Sequence, residues 1–200
     1  MSLFRIVLDE RPFCFVHIPK TGGTSIRQGR QSGPAAFYRP LARWETLPSF
    51  AVIRDPFARI ASCWRDFRFL RRATTLDLST FCMVLPTPRE AHYDARWQAA
   101  IRNPTTIEHH AAPQQHPIHG LDWADSLLRY ETLDQDWDAF CRLHLLAGVP
   151  LPRRRSTHGF ARGEWSEQAI AHVREVYAED FERLGYDPSR DPREGEAQPS

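Results

Sequence analysis

Apolar positions along the chain fall into two kinds of pattern. FCFVHI (13–18) and FAVIR (50–54) are short runs rich in β-branched and aromatic residues. Each stops at a turn signal, Pro19 in the first case and Asp55-Pro56 in the second, so both read as buried strands. Residues 24–30 between them suit a helix, and 31–48, with Gly33, Pro34, Pro40 and Pro48, suit an irregular loop. Strand, helix, loop and strand in that order make a βαβ unit, which predicts parallel neighbouring strands. DSLLRYE (125–131) predicts a third strand.

The remaining apolar residues recur at helical spacing. Asp55 caps a predicted helix with Pro56 at its first position, and Ile60, Cys63, Trp64, Phe67 and Leu70 line one face. Further helices are predicted over 76–85, over 88–102, and from Leu133 to a stop at Gly148 and Pro150. Ser166 caps a last helix whose buried stripe is Ile170, Val173, Tyr177, Phe181 and Leu184. Residues 150–165 form a basic loop, and DPSRDPREGEAQPS (187–200) is polar enough to predict a disordered tail. The expectation is an α/β protein with a small parallel sheet, organised as one domain over 1–186.

Composition narrows the choice of partners. Hydrophobic residues at 42% and aromatic residues at 12% describe a globular chain with a real core. A net charge of +1 supplies no general field for nucleic acid or an anionic membrane, so anion binding must be local. No apolar run is long enough to span a bilayer, and Asp9 and Glu10 interrupt the first apolar stretch too early for a secretory signal. Cys14, Cys63, Cys82 and Cys141 are widely spaced among apolar neighbours, which reads as reduced core thiols and a cytoplasmic protein.

Two strand-to-helix junctions carry candidate chemistry. In HIPKTGGTS (17–25), Lys20 is the only lysine among 26 lysine and arginine residues. Gly22 and Gly23 allow close backbone approach, Thr21, Thr24 and Ser25 add hydroxyls, and the following helix start favours an anion. The lysine precedes the glycines, so the loop is not the nucleotide-binding GxxxxGK[ST] pattern. At the second junction Arg54 ends a strand and Ser62 lies two turns into the next helix. Together they suit a second phosphate, arginine as a fork and serine as a donor.

PKTGGTS after one strand and RDPFARIASCW after the next resemble the sulfotransferases that use 3′-phosphoadenosine 5′-phosphosulfate (PAPS). The likeness is strongest to the carbohydrate branch that includes heparan sulfate 2-O-sulfotransferases. HAAPQ (110–114), RYETL (129–133) and YAEDFERLGYD (177–187) resemble later elements of these enzymes. The resemblance implies a three-layer α/β/α, P-loop-like sulfotransferase fold. It makes Lys20, Thr21, Gly22, Gly23, Thr24 and Ser25 the 5′-phosphosulfate loop, and Arg54 and Ser62 the 3′-phosphate site. It implies PAPS as co-substrate, no metal, and a hydroxyl acceptor on a carbohydrate or small glycosylated metabolite, in a bacterial cytoplasm.

The general base is open between two residues. Relatives in this branch place a histidine between the two phosphate motifs, where this chain has only the carboxylate Glu45. EHHAAPQQHPIH supplies His109, His110, His116 and His119, of which His110 matches the family element and is favoured as base. These histidines lack a standard zinc spacing. Within the basic loop, Arg155 is a candidate for the 3′-phosphate, against a solvated run of Arg153, Arg154 and Arg155. A small-molecule kinase is disfavoured by the lysine's position. A non-catalytic module that binds PAPS or its product PAP (adenosine 3′,5′-bisphosphate) remains the alternative to an enzyme.

Overall fold

Residues 3–23, 26, 47–86, 104–147, 151 and 164–194 are described by the structure, a computed structural model. They belong to two units, Met1–Arg54 with Gln114–Ser156, and Asp55–Pro113 with Thr157–Ser200. Of the helix expected over 24–30 only Ile26 is described, and it is helical and buried; the helix expected over 88–102 and most of the basic loop lie outside the described residues.

The first unit is built on a four-stranded sheet. Strands β1 (Leu3–Leu8), β2 (Arg11–Val16), β3 (Ser49–Ile53) and β4 (Ser126–Arg129) lie side by side in chain order. β2, β3 and β4 run parallel, as the pattern predicts. β1 was not expected, and it pairs antiparallel with β2, from Leu3 opposite Val16 to Leu8 opposite Arg11. The expected parallel sheet is therefore mixed.

The hairpin escapes a sequence reading because its turn lacks glycine or asparagine. Asp9 and Glu10 take φ values of 48° and 61°, the left-handed conformations a two-residue hairpin turn demands. Tertiary contacts hold them there: the Asp9 carboxylate accepts the Ala147 N–H at 3.0 Å, and the Arg11 guanidinium donates to the His144 carbonyl.

Side-chain alternation then builds one core. Phe4, Phe15 and Phe50 stand at paired positions on β1, β2 and β3 and form a row of rings across one sheet face. Helix α4 (Leu133–Leu143) covers that face with Trp137, Phe140 and Cys141, its residues at helical spacing. Phe50 meets Phe140 at 4.8 Å and Trp137 at 5.8 Å between ring centroids.

Helices make up the second unit. α1 (Pro56–Arg65) starts as predicted: the Asp55 carboxylate accepts the Ala58 N–H at 2.8 Å, and Pro56 occupies the first turn. The α-helical pattern stops at Arg65, and Asp66–Leu70 continues as one π-helical turn. The wider turn carries Phe67 into the core and leaves Phe69 and Leu70 exposed, so Leu70 leaves the stripe expected for it. α2 (Leu78–Met83) is capped by Asp77, whose carboxyl is held below its ordinary range by hydrogen bonds from Thr80.

α3 (Pro104–Ala111), a helix the sequence pattern did not predict, carries His109 and His110 in its last turn. α5 (Glu167–Val176), capped by Ser166, and α6 (Ala178–Leu184), ended by left-handed Gly185, complete the unit. Ile170, Val173, Tyr177, Phe181 and Leu184 are buried, as the stripe predicts. The first part of the expected tail, residues 187–194, is held by polar contacts. Arg174 donates to the carbonyls of Pro188 and Ser189, and Arg193 pairs with Asp191 and Glu167.

All four cysteines are buried free thiols, and burial, with the Asp125 charge, pushes Cys14 up to about 11 from 9.0. A thiol whose folded value is raised contributes stability below its unfolded value and loses it as pH climbs through the folded value. The urea midpoint should therefore fall between about pH 9 and about 11, and Cys14→Ala should flatten that fall. Glu10→Gly relieves a left-handed residue of its side-chain clash. It should raise unfolding free energy by about 0.5–1 kcal/mol in urea titrations.

Candidate anion-binding site

The site lies where the three parallel strands end. Beyond β2, the chain runs through Ile18 and Pro19, both buried, and turns at Lys20. Lys20 has φ 70° and Gly22 φ 87°, two left-handed residues that fold the loop back before the backbone becomes helical at Gly23. Thr21 is fully buried, and its hydroxyl donates to the Ile18 carbonyl at 2.9 Å. That hydroxyl's proton closes the loop and is not aimed at a ligand.

A side chain at either glycine would force its neighbours to shift. A methyl group on Gly23 would lie 2.3 Å from Cδ2 of His17, whose ring packs edge-on to Phe4. A methyl group on Gly22 would lie 3.0 Å from the Tyr130 ring and would also meet the cost of its left-handed backbone.

Beyond β3, Arg54 reaches over the same edge. Its Nη1 donates to the Lys20 carbonyl at 3.1 Å, and its guanidinium lies 4.2 Å from the centroid of the Tyr130 ring. Tyr130 follows β4 and extends the ladder, its N–H donating to the Ile53 carbonyl at 2.8 Å. Gln114 holds Arg54 from the other side. Its Oε1 accepts the Arg54 N–H at 2.9 Å and its Nε2 donates to the Arg54 carbonyl at 2.8 Å.

One donor is left over. Arg54 Nε is buried and meets no acceptor among the described residues. A buried charged donor is costly unless an acceptor reaches it, and an anion lodged beside the Lys20 loop would supply one. Lys20, Gly22, Gly23 and Arg54 are thus brought together at one edge of the sheet.

The other candidates belong elsewhere. Ser62 is half-buried on α1 in the second unit. His110 stands in the last turn of α3, with its ring edge against Phe67 and its Nε2 3.5 Å from the Arg71 guanidinium. Arg59, fully buried, donates to the His110 carbonyl at 2.9 Å. Burial, reinforced by Arg59, holds His109 below the ordinary imidazole range. His116 and His119 belong to the first unit, so the histidine run is not one cluster in a single unit. Glu45, Thr24, Ser25 and Arg155 lie outside the described residues.

Three residues of this arrangement had no role in the sequence reading: His17, Gln114 and Tyr130. Gln114 and Tyr130 stood inside the family-like HAAPQ and RYETL elements, which marked them without saying what they do. His17 carried no signal, because its fit against Gly23 depends on loop geometry.

A lysine loop and a guanidinium at the carboxyl edge of a largely parallel sheet define an α/β protein equipped to hold an anion. Residues 38–187 match the sulfotransferase family, and the chain belongs to that family. The matched span contains Arg54, Ser62, His110, Gln114 and Tyr130, while the Lys20 loop precedes it. Neither a curated protein nor a solved structure matches the chain.

The fit of Gly23 against His17 gives a direct test of the loop. Gly23→Ala should lose about 1–3 kcal/mol of stability in urea unfolding through overpacking. Combined with His17→Ala, the total loss should be smaller than the sum of the single losses, because the clash is shared. Additive losses would show that His17 does not set the constraint on Gly23.

Proposed function

We propose that this protein transfers a sulfuryl group from PAPS to a hydroxyl of a carbohydrate or small glycosylated metabolite, releasing PAP. The observation that carries the reading is Arg54. Its guanidinium touches the loop that bears the only lysine and keeps one buried donor for an anion. Family membership supports sulfuryl transfer as the reaction. In this reading both units form one transferase domain with the three-layer, P-loop-like fold of the family, working in a bacterial cytoplasm.

In the reaction the sulfur–oxygen bond to the leaving phosphate breaks while a bond from sulfur to the acceptor oxygen forms. Lys20 places a compact ammonium at the leaving oxygen, where negative charge grows. Gly22, Gly23, Thr21, Thr24 and Ser25 form the loop around the 5′-phosphosulfate, with Thr21 shaping it through the Ile18 carbonyl. Arg54 contacts the 3′-phosphate. Ser62 and Arg155 as its further ligands, and His110 ahead of Glu45 as the base that takes the acceptor's proton, rest on the resemblance. The chemistry asks for no metal, since position and charge neutralisation suffice.

A second reading is a module that binds PAP without catalysis. It is favoured by the Arg71 guanidinium at Nε2 of His110, which competes for the lone pair a base would use.

Sulfur-radiolabelled PAPS, offered with sugars, glycolipids and phenols, separates the readings. Wild-type protein should label a hydroxyl acceptor, and Lys20→Ala should lower the rate by about 100-fold or more. Lys20→Arg should keep PAP binding while losing most turnover, because a planar fork cannot follow one oxygen as a point charge does. Tight PAP binding with no labelled product would establish the module instead, and phosphoryl transfer from ATP would overturn both.

A further inference from the structure

We propose that Gln114 is a positioning residue that sets the anion-binding geometry of Arg54; the proposal rests on the PAPS reading. Arg54 stands just past the last residue of β3, where the sheet no longer supplies both partners for its backbone. Gln114 replaces the missing strand. Its carboxamide presents an acceptor and a donor to the N–H and carbonyl of Arg54, at 2.9 and 2.8 Å, as a neighbouring residue in a ladder would.

Three features make this a positioning device and not ordinary core filling. Gln114 is fully buried, so its amide has no water to exchange for these bonds. Two of its hydrogen bonds go to the N–H and carbonyl of one residue, and that residue is the arginine whose side chain reaches Lys20 and Tyr130. The backbone fixed by Gln114 determines where the guanidinium leaves the sheet, with Nη1 on the Lys20 carbonyl and the Tyr130 ring against the group. The buried Nε is the donor whose direction depends on that backbone.

Side chains of similar shape do not substitute. Methionine keeps the length but removes donor and acceptor, leaving two backbone groups of Arg54 without partners. Glutamate keeps the acceptor for the N–H but sets a carboxylate against the Arg54 carbonyl. Protonation of that carboxyl restores a donor, so the glutamate variant recovers as pH falls.

Calorimetric binding of PAP and of adenosine 5′-monophosphate to the full chain, with thermal unfolding alongside, tests the proposal. Gln114→Met should weaken PAP about tenfold or more and the monophosphate by less than about threefold, matching the pattern of Arg54→Ala. Combining Gln114→Met with Arg54→Ala should cost no more PAP affinity than Arg54→Ala alone, since Gln114 acts through Arg54.

Gln114→Glu supplies an independent arm if the methionine variant is too unstable to study. Its PAP affinity relative to wild type should rise as pH is lowered. Additive losses in the double variant, equal weakening of both nucleotides, or a flat pH ratio for Gln114→Glu would overturn the positioning role while leaving the PAPS reading intact. Wild-type protein that binds neither nucleotide would instead remove the PAPS reading and this proposal together.

Discussion

The guanidinium of Arg54 ties together the ends of three parallel strands. It leaves the chain just past β3, donates to the carbonyl of Lys20 beyond β2, and lies over the ring of Tyr130 beyond β4. A planar cation with five donors is suited to such a place, since one edge can hold protein while another faces an anion. The geometry around it follows from that demand. At Gly22 a side chain would press on the same tyrosine ring and strain a left-handed backbone, and Lys20, also left-handed, presents its carbonyl to Arg54.

The sheet beneath makes this precision possible. Phe4, Phe15 and Phe50 form a continuous aromatic row closed by Trp137 and Phe140, which packs one face of strands whose spacing the backbone ladders set. Rings of this size bury large apolar area and pack with few alternative arrangements. Loops anchored on such strands inherit their rigidity. The buried Thr21 hydroxyl, donating to the Ile18 carbonyl, ties the lysine loop back to the residues that follow β2.

Much of this was legible along the chain, and the limits are physical. Strands β2, β3 and β4 announced themselves because buried parallel strands are short apolar runs bounded by turn signals. The caps of α1 and α5 were equally plain, since Asp55-Pro56 and Ser166 satisfy helix ends with local chemistry. β1 was missed because Asp9-Glu10 carries no intrinsic preference for a hairpin turn, and distant atoms of Ala147 and His144 hold it. The π-helical turn at Asp66–Leu70 was invisible for a similar reason: burial of Phe67 outweighs the regular period that would have turned Leu70 inward.

The candidate site divides along the same line. Lysine, paired glycines and an arginine after successive strands were determined by the sequence alone, because strand–loop–helix order brings parallel strand ends to one edge. Residue types with charge and small size are what make that edge a candidate for an anion. Which partners orient them was decided only in three dimensions. Gln114 lies sixty positions from Arg54, and its carboxamide meets the N–H and the carbonyl of that one residue. Tyr130 and His17 act by occupying space that the glycines leave open. Hydrogen bonds and steric exclusion between residues distant in the chain leave no periodic trace in it, so only the folded structure reveals them.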